Sequence, residues 1–282
     1  MYELTRGQIP LHSHSMISDN GVHTRIVTSA DDNHQAVDYA HRDEYYIFGI
    51  ITHGSLRCDI DFRETTMRRG ELHFICPGQV HRLIDSHNIE GWMLMAENSL
   101  ISDTDRIIFE KSSVKGISVS ASSAEIEELK SLYMLIHNRL HSDSNSTVIR
   151  HLVSAFIRIF ADKYQQACNE NPAGSNRYME IILKLNALLR SDLSISHQPS
   201  YYSDKLYISP VYLNEVVNSV TGCSTSTYIR NEIILQAKRL LYHTNMNVKE
   251  IASSLGFDDN AYFTRLFTKS TGRSPLKFRQ NP

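Results

Sequence analysis

The sequence predicts a chain of the α+β class in two parts. The first part is an N-terminal β-barrel followed by a helical hairpin, and the second is an all-α domain of two helix-turn-helix subdomains joined by a long helix. Three observations support this prediction. Short β-branched and aromatic runs fill residues 1–118, helical periodicity starts near residue 122, and one pattern occurs twice after residue 176. A length of 282 residues suits two domains of ordinary size.

The N-terminal runs have the composition of strands. They cover residues 45–52, 56–62, 71–76 and 92–96, and Gly, Asn, Asp and Pro separate them. Strands at this spacing, without helices between them, indicate a sandwich or a barrel. We therefore expect residues 1–118 to form the β part of the first domain.

A helical hairpin is predicted over residues 122–168. Ser122 and Glu125 have the spacing of a capping box, and apolar residues then recur at helical intervals. A second amphipathic run follows the polar turn at 141–145. Either both helices simply pack on the barrel, or one of them also forms the seam of a homodimer, and the sequence leaves both interpretations open.

The polar segment 169–176 contains Pro172 and Gly174 and is predicted to be a linker between domains at 1–168 and 177–282. Charge changes at the same place. Residues 176–282 carry 13 Lys and Arg against 8 Asp and Glu, whereas the remainder carries 16 against 23. This asymmetry favours a second domain that faces nucleic acid and a first domain that does not.

Composition also excludes several classes of protein. The four cysteines lie far apart without a C-x-x-C pair, which argues against a disulfide framework and a zinc module. The N-terminus has no signal-peptide pattern, and no run approaches the roughly 18 apolar residues of a membrane span. We expect a cytoplasmic protein without membrane contact.

The C-terminal half repeats itself with an offset of fifty residues. Matching pairs include Tyr212 with Tyr262, Thr221 with Thr271, Gly222 with Gly272 and Ser224 with Ser274. Each copy predicts a short helix, a tight turn and a longer helix, and residues 226–244 predict a helix that connects the copies.

In the second copy, Asn247 and Glu250 predict a capped first helix and Gly256 predicts the turn. Phe263 and Phe267 form the inner stripe of the longer helix. Its opposite face then carries short polar groups and one arginine, which suit base edges in a major groove. The candidate residues on this helix are Asn260, Thr264, Arg265, Thr268 and Lys269.

In the first copy, Ser209 caps the longer helix and Pro210 occupies its first turn. The outward positions include Glu215 but no Lys or Arg, so this helix is predicted to position the protein more than it specifies sequence. Its candidate DNA contacts are Ser209, Tyr212, Asn214 and Asn218. Outside the reading helices, Arg273 and Arg279 are either phosphate contacts, which we favour, or ordinary solvated charges.

Residues 206–279 resemble the DNA-binding domain of the AraC/XylS family. The resemblance rests on Ala237-Lys-Arg-Leu-Leu241, on the pattern from Val248 to Asp258, on Tyr262-Phe263-x-Arg265-x-Phe267-x-Lys269, and on Thr271-Gly272-x-Ser274-Pro275. It implies two helix-turn-helix subdomains, direct binding to promoter DNA and contact with RNA polymerase. The first reading helix departs from the family, which often has a basic residue there.

The N-terminal part resembles the two cupin motifs of sensor domains in this family. The resemblance covers His41 to Glu44, Gly54, Gly70 and Pro77 to His81. It implies a barrel that binds a small-molecule effector, with His41, Tyr46, His81 and Trp92 as candidate pocket residues. Metal-binding cupins carry His-x-His where this chain has Asp43 in place of the second histidine, so we expect no metal and no cofactor. His12 has no distinguishing spacing.

The leading hypothesis is a homodimeric, sequence-specific DNA-binding transcriptional regulator, not an enzyme, whose barrel binds an effector and controls promoter binding. Two alternatives remain. One is a cupin-type metalloenzyme with an accessory DNA module, and the other is a ligand-independent DNA-binding regulator.

Overall fold

The computed structural model describes residues 9–12, 20–28, 39–116, 118–142, 146–167 and 176–280. Internal contacts divide the chain into two compact units, the first made of residues 10–171 and the second made of residues 172–282 together with residues 1–9. The predicted linker 169–176 lies outside the described residues except for Asn176, which begins a helix.

The first unit is built on an antiparallel sheet. The strands are β1 Leu11–His12, β2 Val22–Val27, β3 Arg42–Asp43, β4 Tyr46–Ile60, β5 Arg63–Arg68, β6 Glu71–Ile75, β7 His81–Ala96 and β8 Val119–Ser120. The strand order in the sheet is β2-β7-β4-β6-β8, with β5 paired to β4, and the short strands β1 and β3 form a separate parallel pair.

Strand β4 merges two runs that the sequence predicts as separate strands, 45–52 and 56–62. It continues through Gly54, which adopts φ +72° and lies so close to β7 that a Cβ there would sit 2.1 Å from the His87 carbonyl oxygen. The β4–β7 register shifts around this position. Glycine therefore marks an irregularity inside one long strand, not its end.

Residues 1–118 are not all β, because helix α1 spans Asp103–Lys115. The Ser102 hydroxyl accepts a hydrogen bond from the Asp105 amide, and Gly116 ends the helix in the left-handed conformation. Both are ordinary helix boundary signals. The expectation that residues 1–118 are all β is wrong here, because these two caps bound a helix of 13 residues.

The hairpin is confirmed as helices α2, Ser123–Ser142, and α3, Ser146–Ala167. The Glu125 carboxylate accepts from the Ser122 amide at 2.8 Å, as the capping box predicts. The core lies between α1–α3 and one face of the sheet, and Tyr164 of α3 donates to the Leu72 carbonyl at 2.5 Å.

The second unit is helical throughout its described secondary structure. Its helices are α4 Asn176–Asp192, α5 Pro199–Lys205, α6 Pro210–Thr221, α7 Thr225–His243, α8 Val248–Ser254, α9 Asn260–Thr271 and α10 Pro275–Gln280. No helix in the described part of the chain is long and apolar enough to cross a membrane.

The repeat is real, but its offset is not constant. Helix α9 follows α6 by fifty residues at both ends, whereas α8 follows α5 by forty-nine. The second turn is therefore one residue longer than the first. Tyr207 lies two residues after the end of α5, and Gly256 lies two residues after the end of α8. Both residues have positive φ.

Candidate DNA-binding interface and sensor face

The rotation of α9 about its axis is fixed by two buried rings. Phe263 and Phe267 are completely buried in the second unit. The Asp259 side chain accepts a hydrogen bond from the Ala261 amide at 2.7 Å and so sets where the helix begins. Side chains on the face away from the two rings are therefore held toward solvent.

The structure brings the predicted reading residues of α9 to this outer side. Asn260, Arg265 and Lys269 are exposed, and Thr264 and Thr268 are partly exposed. The Arg265 side chain is 69% exposed, and its guanidinium nitrogen lies 3.7 Å from an Asp259 carboxylate oxygen. An exposed pair at this distance is weak, so the guanidinium is readily available to a base or phosphate.

Helix α6 begins as predicted, with the Ser209 hydroxyl accepting a hydrogen bond from the Tyr212 amide at 3.1 Å. Two of its outward side chains also contact the rest of the unit. The Tyr212 ring meets Tyr178 of α4 edge to face at 5.8 Å, and the Asn214 side-chain oxygen accepts from the Thr225 amide at 3.0 Å. Asn218 is exposed.

Glu215 is tied to the same helix α4, because its carboxylate accepts a hydrogen bond from the Tyr178 hydroxyl. It occupies the position in α6 that Arg265 occupies in α9, fifty residues later. The two reading helices therefore present opposite charge at equivalent positions.

Arg279 is not an ordinary solvated charge, which corrects one of its two predicted alternatives. Its guanidinium donates to the Leu241 carbonyl at 2.8 Å and to the Met246 carbonyl at 2.5 Å. These bonds satisfy free carbonyls at and just beyond the end of α7, where a cation is also favoured by the helix dipole. Sequence alone gave no signal for a contact across 38 residues.

Helix α7 connects the two copies of the helix-turn-helix repeat. It is 19 residues long, or about 28 Å, and its Ile229, Ile233, Ala237 and Leu241 are buried. A rigid connector of this length is close to the ~34 Å of one DNA turn.

In the first unit the two faces of the sheet differ. Phe48 points toward the helices and packs against Phe160 of α3 at 5.3 Å between ring centroids. Its neighbours Ile47 and Gly49 therefore point to the opposite face, where they pair with Met95 and Met93 of β7. A Cβ added to Gly49 would meet no described atom within 4 Å. This second face, defined here as the sensor face, carries open space beside partly exposed methionines.

The four predicted effector residues do not meet at one place. Tyr46 is 2% exposed and lies in the helix-side core beside Phe48. Trp92 also points to that side, stacking on Tyr133 of α2 at 5.9 Å. The phase of both strands, which the sequence does not determine, turns these two residues away from the sensor face.

His41 and His81, by contrast, are brought together. They form a backbone bridge, and their ring centroids are 4.3 Å apart. Sequence reasoning missed the third histidine of this group, His12, whose ring stacks on His41 at 4.4 Å. Asp43 lies among them and is buried.

Comparison with known proteins gives two matching families. Residues 23–158 match the AraC-like ligand binding domain, and residues 202–281 match a helix-turn-helix domain. Together they include the sheet, the hairpin and both helix-turn-helix units.

Relatives in curated collections are transcription factors. The chain is 24% identical over 267 residues to the HTH-type transcriptional activator RhaR of Enterobacter sp., covering 90% of this chain and 92% of that protein. It is 30% identical over 118 residues to RhaR of Cronobacter sakazakii, covering 42% of this chain and only 40% of that relative. It is 30% identical over 105 residues to the probable transcription factor PqrA of Proteus vulgaris, covering 37% of this chain and 80% of that protein.

Among solved structures, ToxT from Vibrio cholerae is similar with a TM-score of 0.43 and 14% identity, over 92% of this chain and 98% of that one. The two domain matches follow each other in the same order as the sheet unit and the helical unit described above. The match to PqrA, at 30% identity, covers most of that protein's own length. The chain belongs to the AraC/XylS family and is a transcriptional regulator with an AraC-like ligand-binding domain and a helix-turn-helix DNA-binding domain.

Proposed function

We propose that the protein regulates transcription by reading promoter DNA chiefly through α9. Asn260, Thr264, Arg265 and Thr268 contact bases in the major groove, and Lys269 contacts phosphate. The observation that carries this proposal is the exposed polar face of α9, held in one orientation by its buried phenylalanines.

Helix α6 has the supporting part in this proposal. Ser209, Tyr212, Asn214 and Asn218 position the domain on the duplex, and its lack of Lys and Arg makes its electrostatic contribution small. In this proposal, domain 1–168 senses the effector and domain 177–282 binds DNA.

The test is binding of the full-length protein to its own upstream DNA and to scrambled DNA over a salt series. We expect salt-sensitive binding with preference for the upstream fragment. Arg265→Ala should weaken binding to the upstream fragment by about 1–3 kcal/mol and leave binding to scrambled DNA much less affected.

Arg230→Ala is the matched control, since Arg230 is an exposed arginine on the connector α7 rather than on a reading helix. It should retain the preference for the upstream fragment. An Arg265→Ala protein with unchanged preference removes Arg265 from the base-reading set.

We also propose that the effector binds at the sensor face, next to Gly49. The open space there and the partly exposed Met93 and Met95 support an organic ligand with an apolar part. The same space disfavours the alternative of a ligand-independent regulator, which predicts a filled barrel. His41 and His81 remain candidate polar contacts, whereas Tyr46 and Trp92 belong to the core on the opposite side.

A thermal-shift screen of small metabolites tests this location. Gly49→Leu fills the open space, so it should abolish the stabilisation that any bound compound gives, while His87→Ala, an exposed change in β7, should retain it. A compound that stabilises Gly49→Leu as strongly as the original protein binds elsewhere.

Effector binding and DNA binding are expected to be linked, so each must change the affinity for the other by the same factor. We propose further that the protein acts in the cytoplasm as a homodimer and contacts RNA polymerase, which rests on the helical hairpin and on the family resemblance of residues 206–279. In vitro transcription from the upstream fragment separates activation from repression. The metalloenzyme alternative is disfavoured because the matched relatives are regulators.

A further inference from the structure

Four polar side chains meet where β1, β3 and the start of β7 come together. The parallel pairing of β1 and β3 places His12 opposite Asp43, and a backbone bridge places His41 opposite His81. His41 and Asp43 are two residues apart on one extended segment and so share a face. All four residues are buried.

The ligand-type atoms of this cluster converge on the carboxylate. His12 Nδ1 lies 3.2 Å from one Asp43 oxygen, and His81 Nε2 lies 3.2 Å from the other. One ligand atom each from His12, His41 and Asp43 lies within 4.8 Å of the others. The His12 imidazole and the Tyr45 side chain both contact the carboxylate, but neither contact has the geometry of a normal hydrogen bond to the buried oxygens.

The protons on two of the imidazoles are assigned by backbone contacts. His41 Nδ1 is 3.0 Å from the Tyr39 carbonyl oxygen, and His81 Nδ1 is 3.2 Å from the Gln79 carbonyl oxygen. Because a carbonyl only accepts, each Nδ1 carries the hydrogen and each neutral ring keeps a bare lone pair on Nε2. In His81 that lone pair faces a carboxylate oxygen, so two acceptors confront each other.

The other ring nitrogen of His12, Nε2, lies 3.2 Å from the Tyr39 hydroxyl oxygen. A carboxylate buried among imidazoles is costly unless a cation, either a proton or a metal ion, balances its charge.

We propose that His12, His41 and Asp43, with His81 beside the second carboxylate oxygen, form a binding site for a divalent transition-metal ion, with zinc as the representative ion. Imidazole nitrogen and carboxylate oxygen are ligands that zinc takes at about 2.0–2.2 Å, which in a tetrahedral site separates neighbouring ligand atoms by roughly 3.3 Å. The 3.2 Å between His12 Nδ1 and its Asp43 oxygen matches that spacing. The carbonyls that hold the Nδ1 hydrogens orient the rings, as in known metal sites.

The ion would join β1 to the rest of the first unit, since His12 is one of only two residues in that strand. All four side chains are buried, which suits an ion that holds the strands together. The site shares His41 and His81 with the candidate effector contacts but does not involve α9 or Gly49, and its test requires neither DNA nor effector.

The experiment measures zinc binding by tag-free, full-length protein after treatment with a chelator. His141→Ala is used as the background, because His137 and His141 lie one helical turn apart on α2 with ring centroids 4.4 Å apart and form a surface pair that also attracts zinc. Equilibrium dialysis gives the stoichiometry, and thermal unfolding with and without zinc gives the shift in midpoint.

We expect one zinc per chain and a higher unfolding midpoint with zinc. Asp43→Asn and His12→Ala should each weaken zinc binding about 100-fold or more, because even changing a residue that only supports a metal ligand costs about 10- to 100-fold. The exposed His87→Ala control should bind zinc normally.

Asp43→Asn also separates the metal site from a simple ion pair. If the cluster binds metal, the variant in chelator unfolds at the same or a higher temperature than the background protein, because a buried uncompensated charge has been removed. A lower midpoint in chelator, with no response of the background protein to zinc, overturns the proposal. So does zinc binding that survives both Asp43→Asn and His12→Ala.

Discussion

Tyr207 combines a left-handed backbone with nearly complete exposure. Its φ is +55° and its side chain is 96% exposed, at the place in the first turn where the second turn has Gly256. A residue other than glycine costs roughly 1–2 kcal/mol in this conformation. No core contact of an almost fully exposed ring offsets that cost.

Tyr207→Gly is therefore expected to stabilise the protein by about 0.5–1 kcal/mol, the relief of strain less the greater chain entropy of glycine. Urea unfolding measures it. Gly256→Ala is the opposite control and should destabilise by more than about 1 kcal/mol, because its φ is +80° and a Cβ would lie 2.3 Å from the Ser194 carbonyl oxygen. Equal stability of Tyr207→Gly and the original protein would show that the turn is unstrained.

Single residues were predicted well where they bond within their own turn. The caps at Ser122, Ser209 and Asn247 are all present, since each joins a side chain to backbone three residues away. The contacts of Arg279 and His12 were not predicted, because their partners are distant in sequence and only the folded chain brings them together.

At the scale of elements, α6 and α9 have the same length and bury two equivalent pairs, Leu213 with Phe263 and Val217 with Phe267, but their chemistry differs. Glu215 of α6, bonded to Tyr178, stands where α9 has Arg265. If both helices face DNA, that carboxylate repels the phosphate backbone.

Glu215→Gln should then increase affinity for upstream and scrambled DNA alike, by about two- to fivefold, because removal of one surface charge is worth roughly 0.5–1 kcal/mol. The amide still accepts from Tyr178, so α6 keeps its support. Gel-shift titration at low salt is the measurement, with Glu180→Gln on α4 as the control for net charge. Equal gains in the two variants would mean that Glu215 acts only through net charge.

Five of the seven described helices of the second unit, α5 to α9, were predicted, since helical periodicity, caps and the repeat agree there, whereas α4 and α10 were not predicted. The first unit was predicted less well. Helix α1 was missed, two predicted strands are one, and the phase of β4 and β7 placed Tyr46 and Trp92 on the helix side. A shift of one residue reverses the face of every side chain in a strand, and local composition does not specify it.

At the scale of the whole molecule, we expect the seam of the proposed homodimer on the hairpin helix that carries an exposed apolar residue. Leu135 of α2 is 43% exposed, whereas no large apolar residue of α3 is comparably exposed within its described residues. The apolar face of α3 is instead buried in the first unit. We therefore place the seam on α2.

Leu135→Arg should weaken the homodimer at least about tenfold, because a buried apolar anchor in an interface contributes roughly 2 kcal/mol and each ~1.4 kcal/mol is about tenfold in affinity. Sedimentation equilibrium over a concentration series measures it. Ser154→Arg, an exposed change on α3, should leave the dimer intact. A monomer from Ser154→Arg and a dimer from Leu135→Arg would move the seam to α3.

The outer face of α9 also has a consequence for how such a protein diversifies. Asn260 and Arg265 are exposed and Thr264 and Thr268 partly so, while Phe263 and Phe267 on the opposite side fix the helix. Codons for the outer residues can therefore change with little effect on folding, and each change alters which operator is recognised.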